Sequence, residues 1–479
     1  MNDGNVNNIG SNGNVWGSSV NEENLNNAWN LNFNSSNVNM NNNTRIYGHS
    51  VLGVVGKNLY NIITFYDMPF KLSKKQLLFD LYYAFECAKK HKSRKHYVIN
   101  FEKKLHDNLC KLCNELWERT YHPNPSTCFI INYPKKREIF AADFRDRIVH
   151  HLYFNYTNQL FENTFITDSY SCRKNKGTHY GIKRLEKHIL QESKNYTEDA
   201  YVLKMDIQGY FMNINRDVLL IITNNVLNKM SKHYISKHNK KKWNEALDFD
   251  FIYYLTKIII LLDPTINCRK KSKLNEWDGL PKSKTLFHTD KNCGLPIGNL
   301  TSQLLSNVYL NVLDQFIKRD LKCKHYGRYV DDFYIVSQNK DFLHKIIPLI
   351  ESFLKNELKL KINKGKTIIK NYKYGVEFLG AYIKPYRTYI SNNCLKRIKR
   401  QCFEIEHNIV HKNDITASIN SFLGVLSHYK SYNLRKYIFK KIYKFGYFNK
   451  FFTKFKLHYE RKKEIIINRK RTNTYRYFR

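Results

Sequence analysis

Asp331 and Asp332 stand side by side between two short runs that favour strand, Arg328–Val330 and Phe333–Val336. Adjacent carboxylates at the tip of a hairpin repel one another and are stable there only beside a cation or a basic partner. Asp206 closes a third strand-like run, "YVLKMD". If the three strands are neighbours, three carboxylates converge at one end of a sheet. That set suits two Mg²⁺ ions, or Mn²⁺ in their place, because such ions bind phosphates through one or two protein carboxylates each. One ion lowers the pKa of an attacking hydroxyl and the other stabilises the leaving oxygen. A lone Asp-Asp turn is more often a solvated loop; Asp206 at the end of its own strand argues for the metal site.

The elements that must position these groups are legible in outline. Residues 72–121 carry helical spacing rich in Leu, Tyr and Lys. "STCFIINYPKKREIFAADF" has strand-like patches around a basic turn. "RDRIVHHLYFNYTNQLFE" returns to a helical period, with Ile148, Val149, Leu152 and Tyr153 on one face. A long segment to about residue 290 mixes helical pieces with a lysine-rich loop. "GLPIGNLTSQLLSNVYLNVLDQFI" reads as a glycine-bearing turn feeding a helix, "YGRYVDDFYIV" as strand, tight turn and strand, and "FLGAYI" as a further strand. From about residue 392 the pattern is helical, then strongly basic and aromatic.

The chain has 479 residues and a formal net charge of +39. That excess points to a polyanionic partner, with nucleic acid first. No anchor in a membrane is expected: the longest apolar run, Phe251–Leu262, is short and holds Lys257. No secretory leader is expected, so the reading is cytoplasmic. Cys110 and Cys113 form a CxxC inside a helical stretch, where cysteines at that spacing pack as small apolar residues, and no second pair offers zinc-ligand spacing.

"YVDD" (Tyr329–Asp332) matches the catalytic motif of reverse transcriptases, and the resemblance extends over about residues 120–385. "DIQGYF" (Asp206–Phe211) resembles the family's first catalytic strand. The resemblance assigns Asp206, Asp331 and Asp332 to catalysis, and these with Ile207 to the metals. It assigns Gln208, Gly209, Tyr210 and Phe211 to the nucleotide, Phe211 stacking under the sugar so that a 2′-hydroxyl would clash. "PKKREIFAADFRDRIVHH" resembles the motif that grips the triphosphate, with Lys136 and Arg137 as its cations. "INKGKTII" resembles the following motif, with Lys366 near the phosphates. Phe378, Leu379 and Gly380 resemble the strand-turn that holds the primer. The implied fold is α+β, a right-hand polymerase of fingers, palm (an antiparallel sheet flanked by helices) and helical thumb. The implied boundaries are fingers 57–200, palm 201–391 with an insertion at about 216–290, and a basic thumb and tail at 392–479.

One turn narrows the resemblance. "LPIGNLTSQ" has Ile297 before Gly298 and Gln303 after Ser302, a pattern that looks like the bacterial and phage reverse transcriptases of diversity-generating retroelements. That likeness implies error-prone copying of a template-repeat RNA at adenine, to diversify a target gene. Its partners would be the template RNA, the RNA/cDNA duplex, dNTPs and a small basic accessory variability protein. The tail interleaves bases and aromatics, as nucleic-acid binding wants. A group II intron-type maturase, a polymerase that works without a template and a non-catalytic nucleic-acid binder are the competing readings.

The amino-terminal block differs from everything after it. Eighteen of the first 43 residues are Asn, and the first lysine is Lys57. An A-rich genome would raise lysine codons as well. Randomising the adenines of AAC or AAT never yields a stop codon, whereas AAA or AAG can become one. Two readings follow for residues 1–56: a polar low-complexity tail, disordered for want of apolar surface, or, as the retroelement resemblance implies, a translated template repeat without a catalytic role.

Overall fold

The computed structural model describes residues 71–132, 135–235, 241–407, 421–429 and 431–443. The Asn-rich block and the basic tail beyond residue 443 lie outside the described residues. Of those described, 71–132 and 136–371 belong to one compact unit and 372–443 to a second.

The first unit opens with helices α1 (Lys74–Lys89), α2 (His96–Glu102) and α3 (Leu105–Trp117). Ser73 caps α1 by accepting from the Gln76 amide, one of the donors a helix start leaves unpaired. Leu109, Leu112 and Leu116 on α3 are fully buried, and Cys113 packs beside them, as its helical setting leads one to expect. The hairpin β1 (Thr127–Ile131) and β2 (Arg137–Ala141) follows, paired antiparallel across the basic turn. Helix α4 (Phe144–Glu162) is capped by Asp143 and buries Ile148, Val149, Leu152 and Tyr153 on its expected face.

Helix α5 (Thr178–Glu192) leads into β3 (Tyr201–Asp206). A single turn, α6 (Tyr210–Asn213), and helix α7 (Arg216–Ser231) come next, then α8 (Phe249–Leu261) and the short β4 (Arg269–Lys270), which pairs parallel with β1. Three turns of 3₁₀ helix cross residues 274–288. Helix α9 (Leu300–Gln315) is buried on nearly every side, so its polar residues Asn307, Asn311 and Asp314 are buried as well. Strands β5 (His325–Tyr329) and β6 (Asp332–Ser337), helix α10 (Lys340–Glu357) and β7 (Ile368–Asn371) complete the unit. The sheet runs β5-β6-β3-β7, antiparallel throughout. The two strand ends bearing carboxylates are therefore neighbours at its centre.

The second unit carries a separate antiparallel sheet of β8 (Val376–Phe378), β9 (Ala381–Lys384) and β10 (Arg387–Ile390). "FLGAYI" is thus not one strand: Leu379 and Gly380 take positive φ and turn the chain between β8 and β9. Helices α11 (Asn392–Glu406) and α12 (Tyr432–Tyr443) follow. Among the described residues no helix is long and apolar enough to cross a membrane.

Candidate active site

The register between β3 and β6 sets Asp206 directly opposite Asp332 and Lys204 opposite Tyr334. Directly opposed residues of an antiparallel pair share a face, so Asp206, Lys204 and Asp332 look the same way. Asp331 stands in the β5–β6 turn, and its carbonyl accepts from the Ile207 amide at 3.3 Å. The three carboxylates thus gather at one sheet end, as expected. Burial pushes the Asp331 carboxyl up to about 7, and the Asp206 charge adds to the rise. Burial raises Asp332 to about 6, with Lys204 opposing. These are groups short of positive charge.

What positive charge they have comes from lysines. Lys204 Nζ lies 3.7 Å from Asp332 Oδ1. Lys366 Nζ donates to Asp206 Oδ2 at 2.8 Å. Lys366 is delivered by a strip of backbone that runs beside the end of β3. Gln208 N donates to Lys361 O at 2.9 Å and Asn363 N to Asp206 O at 2.8 Å, and a 3₁₀ turn over Lys364–Lys366 then brings the ammonium round. Among the described residues no three His, Cys, Asp or Glu side chains are drawn close enough to hold a metal ion as they stand.

The residues expected at the nucleotide follow directly on β3. Gly209 takes a left-handed φ of +56°, which lets the chain turn from β3 into α6. Gln208 is exposed, and Tyr210 is buried with its hydroxyl on Ser306 O at 2.6 Å. Phe211 is half-buried and packs, together with Ile297, on a small cluster of Cys128, Phe140, Met212 and Leu286. The Ile297–Asn299 turn is fastened to β2: Phe140 N donates to Ile297 O at 2.9 Å, and Ala142 N to Asn299 Oδ1 at 3.1 Å. Ser302 is buried in the first turn of α9, and the half-buried Gln303 has a side-chain oxygen that accepts no hydrogen bond.

Lys136 and Arg137 lie at the start of β2. Lys136 Nζ donates to Asp278 O at 2.6 Å, which ties it to the 274–288 segment rather than to the carboxylates. Phe378, Leu379 and Gly380 belong to the second unit; Phe378 is fully buried and Gly380 O accepts from Ser391 N at 2.8 Å.

Two features escaped the reading of the sequence. Arg328, next to the Tyr329–Asp332 tetrad, is fully buried and paired with the equally buried Asp314 of α9. Glu138 is buried on β2 and accepts from Trp277 Nε1, Thr285 Oγ1 and Leu286 N at 2.7–2.8 Å. A charged residue inside an apolar strand or helix was the available signal in each case.

A family model described as reverse transcriptase (RNA-dependent DNA polymerase) matches residues 133–383, more than half of the chain. The chain belongs to the reverse transcriptase family. That family is one of RNA-dependent DNA polymerases, and the described residues of this chain form an α+β fold. It is 25% identical over 303 residues to Protein YkfC of Escherichia coli (strain K12), across 56% of this chain and 69% of that protein. It is 20% identical over 314 residues to the group II intron-encoded protein LtrA of Lactococcus lactis subsp. cremoris, across 59% of this chain and 50% of LtrA. A solved apo telomerase from Candida tropicalis aligns with 14% identity over 58% of this chain and 59% of that one, at a TM-score of 0.38, too low to bear on fold or activity.

Proposed function

We propose that this reverse transcriptase copies a template-repeat RNA into adenine-mutagenised cDNA, as the enzymes of diversity-generating retroelements do. The observation that carries the reading is the seating of Ile297. It shares one small cluster with Phe211, and its backbone is fastened to β2. A fidelity turn in that position touches both the floor under the incoming sugar and the strand bearing the triphosphate grip. Altering residues 297 and 303 there would loosen the geometric check on the pair being formed.

In this reading Asp206, Asp331 and Asp332, with the Ile207 carbonyl, hold two Mg²⁺ ions. An all-oxygen set short of positive charge is the donor chemistry Mg²⁺ takes. Bound there, the ions would activate the primer 3′-hydroxyl and neutralise charge on the departing pyrophosphate. The chain's own work is positioning and charge. Phe211 supports the deoxyribose, Arg137 and Lys136 neutralise the triphosphate, and Lys366 leaves Asp206 to meet the phosphates. The β1–β2 hairpin serves as fingers, the β5-β6-β3-β7 sheet as palm and the helices from residue 392 as thumb. Template RNA, the growing duplex and a small basic accessory protein are the proposed partners.

Similarity to a group II intron-encoded protein favours a second reading, a maturase of that kind. Primer extension on an RNA template with Mg²⁺, accessory protein present, separates them. Misincorporation concentrated opposite adenine supports the first reading; even fidelity at all four bases supports the second. Ile297→Gln should lower the adenine errors, and an unchanged error spectrum in that variant would refute the role given to the turn.

A further inference from the structure

We propose that Arg328 is a positioning residue. Through the carbonyl of Val330 it fixes the turn that aims Asp331 and Asp332, and it therefore sets the rate of chemistry. The inference rests on reading those aspartates as the metal ligands.

Val330 is the residue before the aspartate pair, and its φ is +55°. A β-branched residue in the left-handed region is strained, because its side chain crowds the backbone there. Such a conformation persists only where its surroundings over-determine it. Here both of its backbone groups are held. Val330 N donates to Ser171 Oγ at 3.3 Å, and Val330 O accepts from Arg328 Nη1 at 3.0 Å.

The holders are themselves held. Arg328 Nε and Nη2 each donate to Asp314 at 2.7 Å, a bidentate fork with no exposure on either side. Nη2 also donates to Ser169 Oγ at 3.2 Å, and Nη1 to Asn307 Oδ1 at 3.3 Å. Tyr326 donates its hydroxyl to Asp314 Oδ1 at 2.6 Å. Asn307 returns to the other holder, donating from Nδ2 to Ser171 O at 2.9 Å. Every fixed point lies on β5, α9 or residues 169–171, and they converge on the two peptides that flank Val330.

A buried ion pair adds little stability over well-packed apolar residues of similar size. Cohesion alone therefore gives no reason for a guanidinium here. The Val330 carbonyl does: the fork of Arg328 is spoken for by Asp314, and the remaining face of the guanidinium points to the turn.

The test uses the full chain with its RNA template and Mg²⁺. The double variant Arg328→Met with Asp314→Leu removes the pair without leaving a buried charge. It should stay folded by circular dichroism, while kcat for nucleotide addition falls on the order of 10²-fold, the scale of a small misplacement of reacting groups. The KM for dNTP should change little, and the Mg²⁺ concentration for half-maximal rate should rise. Adding Val330→Gly should recover about tenfold of kcat, since glycine takes positive φ without strain. An unchanged kcat in the folded double variant overturns the proposal, and so does a loss that Val330→Gly leaves untouched, because a merely structural role predicts no rescue. Should the double variant unfold, Ser171→Ala decides: it keeps the ion pair, frees one end of Val330, and should cost about tenfold in kcat, with no loss counting against the proposal. Asp331→Asn in the same assay is expected to abolish extension. Wild-type activity in that variant would instead sink the reading of the aspartates on which this inference stands.

Discussion

Lys366 Nζ lies 2.8 Å from Asp206 Oδ2, so a lysine from the loop before β7 neutralises the strand-end carboxylate around which the site is built. Most of the Lys366 side chain is exposed, whereas Asp206 is largely buried. The ammonium is thus free to leave while the carboxylate stays. The same cation can stand in for metal charge in the resting site and then serve the phosphates.

Lys366→Met should therefore have two opposite effects. Removing the competing ammonium should lower the Mg²⁺ concentration for half-maximal rate, while kcat falls by about 10²-fold as the cation proposed to stabilise the phosphates is lost. A Mg²⁺ titration of initial extension rates measures both. Weaker apparent Mg²⁺ binding in this variant would mean that Lys366 does not compete for the site.

The raised carboxyls make stability depend on pH. An unfolded Asp releases its proton near the usual 3.8, but on the folded chain Asp332 holds on to about 6 and Asp331 to about 7. Between those limits the folded state binds more protons than the unfolded one, so stability falls as pH rises through that window and levels off above it. With metal chelated, Asp331→Asn should raise the Tm at pH 7.5 and leave it nearly unchanged at pH 4. Thermal melts across this range check it; a difference independent of pH would contradict the assigned burial of charge.

Glu138 gives a prediction about the 274–288 segment. Its buried carboxylate meets three donors from that segment: an indole, a hydroxyl and a backbone amide. Glu138→Ala leaves them unpaired, at about 1–3 kcal/mol for each buried group that water cannot reach. Faster proteolysis confined to residues 274–288, with Lys136 losing its contact to Asp278 O, is the expected outcome. Limited digestion with mapping of the cut sites tests it, and an unchanged cleavage pattern would show that Glu138 does not fasten the segment.

These residues mark where the sequence was readable. Asp206, Asp331 and Asp332 could be placed together because Asp206 closes β3, Asp332 opens β6 and Asp331 sits in the turn before it, all marked by local strand and turn signals. The faces of α4 and α3 followed from helical period alone. Arg328 and Asp314 could not be paired in advance, since each meets its partner across a strand and a helix whose packing no local period encodes. Glu138 stands out only as a charge in a strand-like run, and its partners Trp277 and Thr285 lie too far along the chain to be foreseen. The "FLGAYI" stretch reads as a strand because its apolar residues outnumber its glycine, but two successive positive φ values at Leu379 and Gly380 make it a hairpin.

Gly298 links stability to fidelity. Its φ is +132°, and a Cβ there would sit 2.7 Å from Phe140 O and 3.0 Å from Ile139 Cγ2. Neither β2 backbone nor a buried side chain can give way cheaply, so Gly298→Ala must push the turn off β2. The bond from Phe140 N to Ile297 O would lengthen, and Ile297 would shift on the cluster it shares with Phe211. Backbone strain of this kind costs about 1–3 kcal/mol. Gly424, with nothing within 4 Å of its would-be Cβ, serves as the control, and Gly424→Ala should be neutral in melts. Because the shift reaches Phe211, proposed above to support the incoming sugar, Gly298→Ala should also raise misincorporation, at pyrimidine and purine templates alike. Extension measured one template base at a time reads this out. A folded Gly298→Ala enzyme with wild-type errors would detach the turn from base selection, and the role of Ile297 would fall with it.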